Sequence, residues 1–300
     1  MSDRPPHSPG LLPSMMRGAL TSPLKRAVSA EAPLPASRLV LPGVRIDPGR
    51  LAAYSRVCGF DRADPLPLTY PHVLGFPLAM KLMTARAFPL PVLGLVHTGI
   101  EITRQRALPL DVRPELTVYA DGLRPHRRGT EVVMATEARL GGELLWESRS
   151  TYLARHPARE APAAEDGSGR PPAPAEHAPT GAGTATGTTT WRLPADLGRR
   201  YGAASGDRNP IHLYPLTAKL FGFPRAIAHG MWTAARCLAE AGVPEAVHVR
   251  VDFRAPVLLP GTVTYAAGAD GFEVRSPGRG GAESRIHLTG AVTAPSAPRS

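Results

Sequence analysis

Along the chain, apolar residues recur at helical spacing in two places and gather into short runs between Gly and Pro in several others. Helices are expected at Phe76 to Ala87 and Ala228 to Ala241. In the second, Met231, Ala234, Ala235, Leu238 and Ala239 fall on one face, and Gly242 followed by Pro244 supplies the stop. Strand-like runs cover Thr117–Ala120, Glu131–Leu140 and Leu144–Leu153, then Val247–Phe253, Gly261–Ala267, Phe272–Arg275 and Arg285–Val292. One helix followed by several turn-separated strands, twice over, predicts an α+β protein with each helix packed on an antiparallel sheet.

Two stretches break this pattern. Residues 1–38 are rich in Pro, Ser and Ala without periodicity and read as a loose arm. Residues 155–190 are small, polar and proline-rich, and bury too little apolar surface to offset the entropy of ordering, so they read as a flexible linker. The remaining blocks, 39–154 and 191–296, are each of single-domain size.

The blocks look like repeats. Tyr54 and Tyr201 lie 147 residues apart, as do Gly59 and Gly206, and the tetrapeptides Leu74–Pro77 and Phe221–Pro224 keep that offset. His97 to Ile100 and His248 to Val251 match at an offset of 151.

Charge and composition mainly exclude. Of the residues behind the net charge of +10, only Lys25, Lys81 and Lys219 are lysines, and the arginines are spread along the chain. No zinc-finger, basic-zipper or RNA-binding signature accompanies them, so no nucleic-acid partner is expected. Cys58 and Cys237 are too few for a disulfide framework or a cysteine-based zinc site. No apolar run suffices for a membrane span, and the first residues lack the order of a secretory signal, which makes the cytoplasm the expected location.

The chemistry is concentrated in Tyr201-Gly-Ala-Ala-Ser-Gly-Asp-Arg-Asn-Pro-Ile-His212. Pro210 fixes its own φ and disfavours helix at Asn209, so the chain should turn there and can bring Asp207 and His212 towards one water molecule. A carboxylate beside an imidazole can take a proton from water and return it elsewhere. The same run also suits an Asx turn followed by a packed histidine.

With its aromatic residue, its Gly-Asp-x-Asn-Pro-x-His run and the later His229-Gly230 pair, the chain resembles the MaoC-like, (R)-specific enoyl-CoA hydratase family. The duplication extends the resemblance to that family's double hot-dog members, in which each half wraps an antiparallel sheet around a central helix. The resemblance implies hydration of trans-2-enoyl thioesters, or dehydration of (R)-3-hydroxyacyl thioesters. Asp207 and His212 would be the acid–base pair and Gly230 the oxyanion donor. Asn209, His229, Phe253 and Arg254 are candidate substrate-binding residues; Asn209 should first fix the turn, while Arg254 and Lys219 could meet coenzyme A phosphates or stand as solvated surface charges. No metal or redox cofactor is implied, since coenzyme A or acyl carrier protein is only the substrate's handle. A homodimer is left open.

At the offset of 147, Asp207, Asn209, His212 and Gly230 become Phe60, Arg62, Pro65 and Met83, so the first half is expected to be a catalytically dead copy. His72 and His97 read as isolated core or surface histidines. Two rival functions stand beside a hydro-lyase: a hot-dog thioesterase, and a non-catalytic acyl-binding or scaffold subunit.

Overall fold

The computed structural model describes residues 32–156, 187–269, 271–278 and 284–295. Residues 1–31 of the expected arm and 157–186 of the expected linker lie outside them.

Among the described residues ten strands form one sheet: β1 (Leu39–Leu41), β2 (Val96–Arg104), β3 (Glu115–His126), β4 (Gly129–Leu140), β5 (Glu143–Arg155), β6 (Gly187–Leu193), β7 (Val247–Phe253), β8 (Gly261–Ala267), β9 (Gly271–Ser276) and β10 (Arg285–Thr293). The helices are α1 (Pro48–Cys58), α2 (Tyr70–Met83), α3 (Leu197–Ser205), the short α4 (Pro210–Leu213) and α5 (Pro215–Leu220), and α6 (Gly230–Ala241).

The strand order, β1-β3-β4-β5-β2-β7-β10-β9-β8-β6, is the same five-strand order read outwards from the middle in both directions. Every pairing is antiparallel. The α+β class and the duplicated arrangement expected from the pattern are therefore present. At the seam, Ile100 faces Val251, two positions 151 apart in number, which is what a pseudo-twofold axis through that pair requires.

Period-two alternation explains why the seam holds. Ile100, Ile102, Val249 and Val251 are buried on one side. On the other, the register partners Glu101 and Arg250 form a 2.7 Å ion pair, and Thr103 meets His248 at 2.9 Å. The helices cross the seam as well. Trp232 of α6 donates from Nε1 to the Val57 carbonyl at 2.8 Å, and the rings of Tyr54 and Tyr201 lie 5.9 Å apart where α1 meets α3. Gly59 and Gly206 end those two helices in the left-handed region, at φ 81° and 88°, where glycine carries no Cβ penalty. The repeat anchors thus mark equivalent helix ends.

Several expectations need correction. The first helix runs from Tyr70 to Met83 rather than from Phe76 to Ala87, because Pro71 sits in its first turn and Pro77 is carried inside it. Leu74–Pro77 is therefore helical, whereas Phe221–Pro224 lies in a loop beyond α5, and the offset of 147 does not hold past Gly206. The counterpart of Gly230, the first residue of α6, is consequently Tyr70 at the start of α2, and not Met83 at its end. Residues 187–190, placed in the linker by their small polar character, are strand. Their three threonines pair with Thr264, Tyr265 and Ala266 of β8, a position that suits β-branched side chains.

Candidate active site

Helix α3 prepares a flat bed for the loop that follows it. Gly198 and Gly202 lie one turn apart on α3. A Cβ on Gly198 would strike the His212 carbonyl, and one on Gly202 would lie 2.7 Å from the Asp207 carbonyl. The segment from Asp207 to His212 rests against this bare backbone.

The loop is pinned by its own polar groups. Ser205 Oγ donates to the Tyr201 carbonyl at 2.9 Å and accepts from the Asp207 amide at 3.2 Å. Asp207 Oδ1 accepts from the Asn209 amide at 3.1 Å, and Asn209 Oδ1 accepts from the Ile211 amide at 3.4 Å, capping α4. Asn209 thus takes the turn-fixing role expected first for it; its side chain is spent on the backbone.

His212 is 8% exposed and donates from Nδ1 to the Ile227 carbonyl at 2.8 Å. A carbonyl can only accept, so Nδ1 carries the proton and a neutral ring keeps its lone pair on Nε2. His229, 2% exposed, lies flat against this ring, with centroids 3.7 Å apart and planes 26° from parallel. Its Nε2 donates to the Asp207 carbonyl at 3.0 Å and stands 3.8 Å from Asp207 Oδ2. Enclosed in this way, with the Tyr201 ring 4.7 Å away, His229 supports the pair from beneath. Asp207 is different: 27% of its side chain meets solvent. A water reaching the carboxylate comes within range of the buried imidazole below.

Burial pushes the Asp207 pKa up, against the pull of His212 and the Asn209 amide. Burial pushes His212 down, against the pull of Asp207 and the Ile227 carbonyl. His229 is held well below the ordinary imidazole range by burial and then by His212. Both rings are therefore neutral near pH 7. One nitrogen or oxygen of each of Asp207, His212 and His229 lies within 4.8 Å of the others, a spacing a metal ion could use. The His229 nitrogen facing the carboxylate, however, is protonated towards a carbonyl and has no lone pair to give. The arrangement suits proton transfer better than metal binding.

Gly230 opens α6, which has no side-chain cap, and the Thr233 amide is the one that bonds back to the His229 carbonyl. Helix geometry leaves the Gly230 N–H without an intrahelical acceptor. Phe253 covers this glycine closely, since a Cβ there would lie 3.1–3.3 Å from its ring. Arg254 is on the surface and donates to Asp252 Oδ2 at 3.3 Å; Lys219 is exposed on α5.

The first half contributes more than the sequence suggested. His97 stacks on Tyr152 at 4.5 Å, lies 4.9 Å from the Phe253 ring and 6.3 Å from His72. Burial raises the Tyr152 pKa, and the charge of Asp207 adds to that rise. His72 and His97 are held neutral by burial, at about 4 and about 3. They are not isolated: with Tyr152 and Phe253 they form a contiguous set of rings that reaches Gly230 through Phe253. Nothing in the residue pattern signals this, because it depends on the pairing of His97 with Tyr152 across β2 and β5.

Comparison with known proteins bears on the family and the fold. The MaoC like domain family matches residues 178–279. The 3-hydroxyacyl-thioester dehydratase X of Mycobacterium tuberculosis is 41% identical over 241 residues, covering 79% of this chain and 82% of that protein. The crystal structure of HtdX of M. tuberculosis superposes with a TM-score of 0.68 at 35% identity, covering 86% of this chain and all (100%) of that one. A further M. tuberculosis protein described as having a double hotdog fold matches at TM-score 0.51 and 15% identity over 89% of this chain and 99% of its own, a likeness of fold alone. A duplicated sheet around paired helices, a motif held on a glycine bed and a relative this similar over most of the chain lead to one placement: the chain belongs to the MaoC-like dehydratase family.

Proposed function

We propose that this protein is a hydro-lyase that interconverts trans-2-enoyl and (R)-3-hydroxyacyl thioesters at the Asp207–His212 pair. The observation that carries this reading is the union of a part-exposed carboxylate, a buried neutral imidazole with its lone pair on Nε2, and the helix-start N–H of Gly230, to which helix geometry gives no intrahelical acceptor. The dehydratase named among its relatives supports the reaction class; the (R) outcome rests on the family resemblance.

In the hydration direction, water lies between the Asp207 carboxylate and His212 Nε2. Its oxygen bonds to C3 as one proton passes to the pair, and the C2–C3 π electrons move towards C2 and the thioester oxygen. The Gly230 N–H stabilises the charge gathering on that oxygen, a contribution of about 3 kcal/mol for one such donor. The pair then returns the proton to C2, so both hydrogens and the oxygen of water end on the substrate. Dehydration runs the same steps backwards. Coenzyme A or an acyl carrier protein is the handle of the substrate and takes no part in the bond changes.

The decisive experiment follows enoyl absorbance with crotonyl-CoA and longer enoyl-CoAs, comparing wild type, Asp207→Asn and His212→Ala. Both variants should stay folded by circular dichroism and lose about 10²-fold or more of kcat. Unchanged turnover in either removes that residue from the mechanism. Release of free thiol with the enoyl chromophore intact would replace the reading by a thioesterase.

A further inference from the structure

We propose that Tyr214, Leu216, Leu220 and Phe221 form the docking surface for an acidic acyl carrier protein, which presents the thioester to Asp207 and His212. The proposal rests on the functional reading above and adds the partner that the active-site geometry leaves undecided.

The first observation is apolar exposure. Among the described residues, six large hydrophobic side chains are exposed, and four of them fall between 214 and 221: Tyr214 at 53%, Leu216 at 75%, Leu220 at 79% and Phe221 at 43%. Leu216 and Leu220 are four apart on α5 and so form one ridge, while Ala218 beneath them is buried. Exposed apolar surface concentrated in this way marks a contact site.

The second observation is charge. Between residues 197 and 226 the chain carries Arg199, Arg200, Arg208, Lys219 and Arg225 against a single acid, Asp207. None of these five cations forms an ion pair with a carboxylate of the described residues. Arg199 lies over the Tyr214 ring at 5.2 Å, which puts its charge at the edge of the apolar ridge.

The third observation is position. Helix α5 starts three residues after His212, and Thr217 Oγ1 donates to the Pro210 carbonyl at 2.6 Å, so the ridge is tied to the loop that holds the pair. A nucleotide carrier would use the cations and leave the leucines in water. A folded carrier with an acidic, part-apolar helix uses both, and brings its thioester arm to the mouth of the site.

The test compares one enoyl chain on a bacterial acyl carrier protein and on coenzyme A, using wild type, Leu216→Ser/Leu220→Ser and Lys219→Glu. Binding of the unloaded carrier protein is measured alongside by fluorescence anisotropy. Wild type should favour the carrier-borne chain by tenfold or more in kcat/KM, with a KM that rises with salt. In both variants that ratio should fall at least tenfold and carrier binding weaken in parallel. An equal ratio and equal binding in wild type and variants overturn the proposal. So does a variant-sensitive association with phosphatidylglycerol vesicles, or between copies of the chain, with the carrier ratio unmoved. Failure to turn over either thioester would end the functional reading, whereas carrier binding lost in the variants would still uphold the surface.

Discussion

The imidazole of His229 lies face to face with that of His212, 3.7 Å between centroids, and the two rings donate from different nitrogens, His212 from Nδ1 and His229 from Nε2. His229 is fixed by donation from Nε2 to the Asp207 carbonyl and its Nδ1 is buried, so in the proposed mechanism it positions the His212 ring and is no second base. His229→Gln should retain the fold and lower kcat more than it raises KM, as loss of positioning would. A KM effect alone in steady-state kinetics would instead make it a substrate contact.

Acidification should unfold the protein early. His72, His212 and His229 all have folded pKa values below the ordinary imidazole value, and the cause in each is first of all burial. The unfolded chain therefore binds their protons first. Their contribution is present in full above about pH 6.5 and is lost as pH falls through the folded values, towards about 4 for His72. Asp207, raised by burial, works with the opposite sign. Urea unfolding at pH 7.5, 6.0 and 5.0 should show a steady loss of stability that His72→Leu makes shallower. An unchanged slope in that variant would contradict the sign worked out here.

Gly198→Ala should cost activity more than its distance along the chain suggests. The new methyl meets the His212 carbonyl, a backbone atom that cannot swing aside, so the whole motif must shift. A tenfold or larger fall in kcat is expected from a displacement of that kind. Gly202→Ala, 2.7 Å from the Asp207 carbonyl, should be milder. Equal kinetics for wild type and Gly198→Ala would show that the loop does not need the bed.

Gly230→Ala keeps the N–H yet drives a methyl to 3.1 Å from the Phe253 ring. If crowding is the fault, Phe253→Leu in the same chain should restore part of the lost kcat. If the double variant is no better, the glycine is required for the path of the backbone.

Trp232→Phe removes the Nε1 bond to the Val57 carbonyl and leaves that part-buried acceptor unmet. A stability loss of about 1–2 kcal/mol in denaturant unfolding is expected, with kcat nearly unchanged.

Much of the site was legible because its residues are neighbours in the chain. Asp207, Asn209 and His212 lie within one turn, and a proline announces that turn. The end of α6 was equally plain, since Gly242 takes up φ 64° where the helical pattern stops. Long-range features were hidden. β2 gives no strand signal, although His97 to Ile100 matches the other half, because its Gly99 and polar Thr98 interrupt the apolar run. α1 and α3 have low mean hydropathy, and their glycines and arginines resemble loop. The set of rings from His72, His97, Tyr152 and Phe253 joins four separate elements, α2, β2, β5 and β7, and only the strand register assembles it.

The seam at Ile100 and Val251 makes this chain its own partner. A machine built from two identical shells would own two reaction chambers and could lose both on dilution. Here the shells are joined in one chain, and the Gly-Asp-x-Asn-Pro-x-His run stands in only one of them. Each polypeptide should accordingly turn over at a single centre, with hyperbolic saturation and a specific activity that does not decline as the enzyme is diluted.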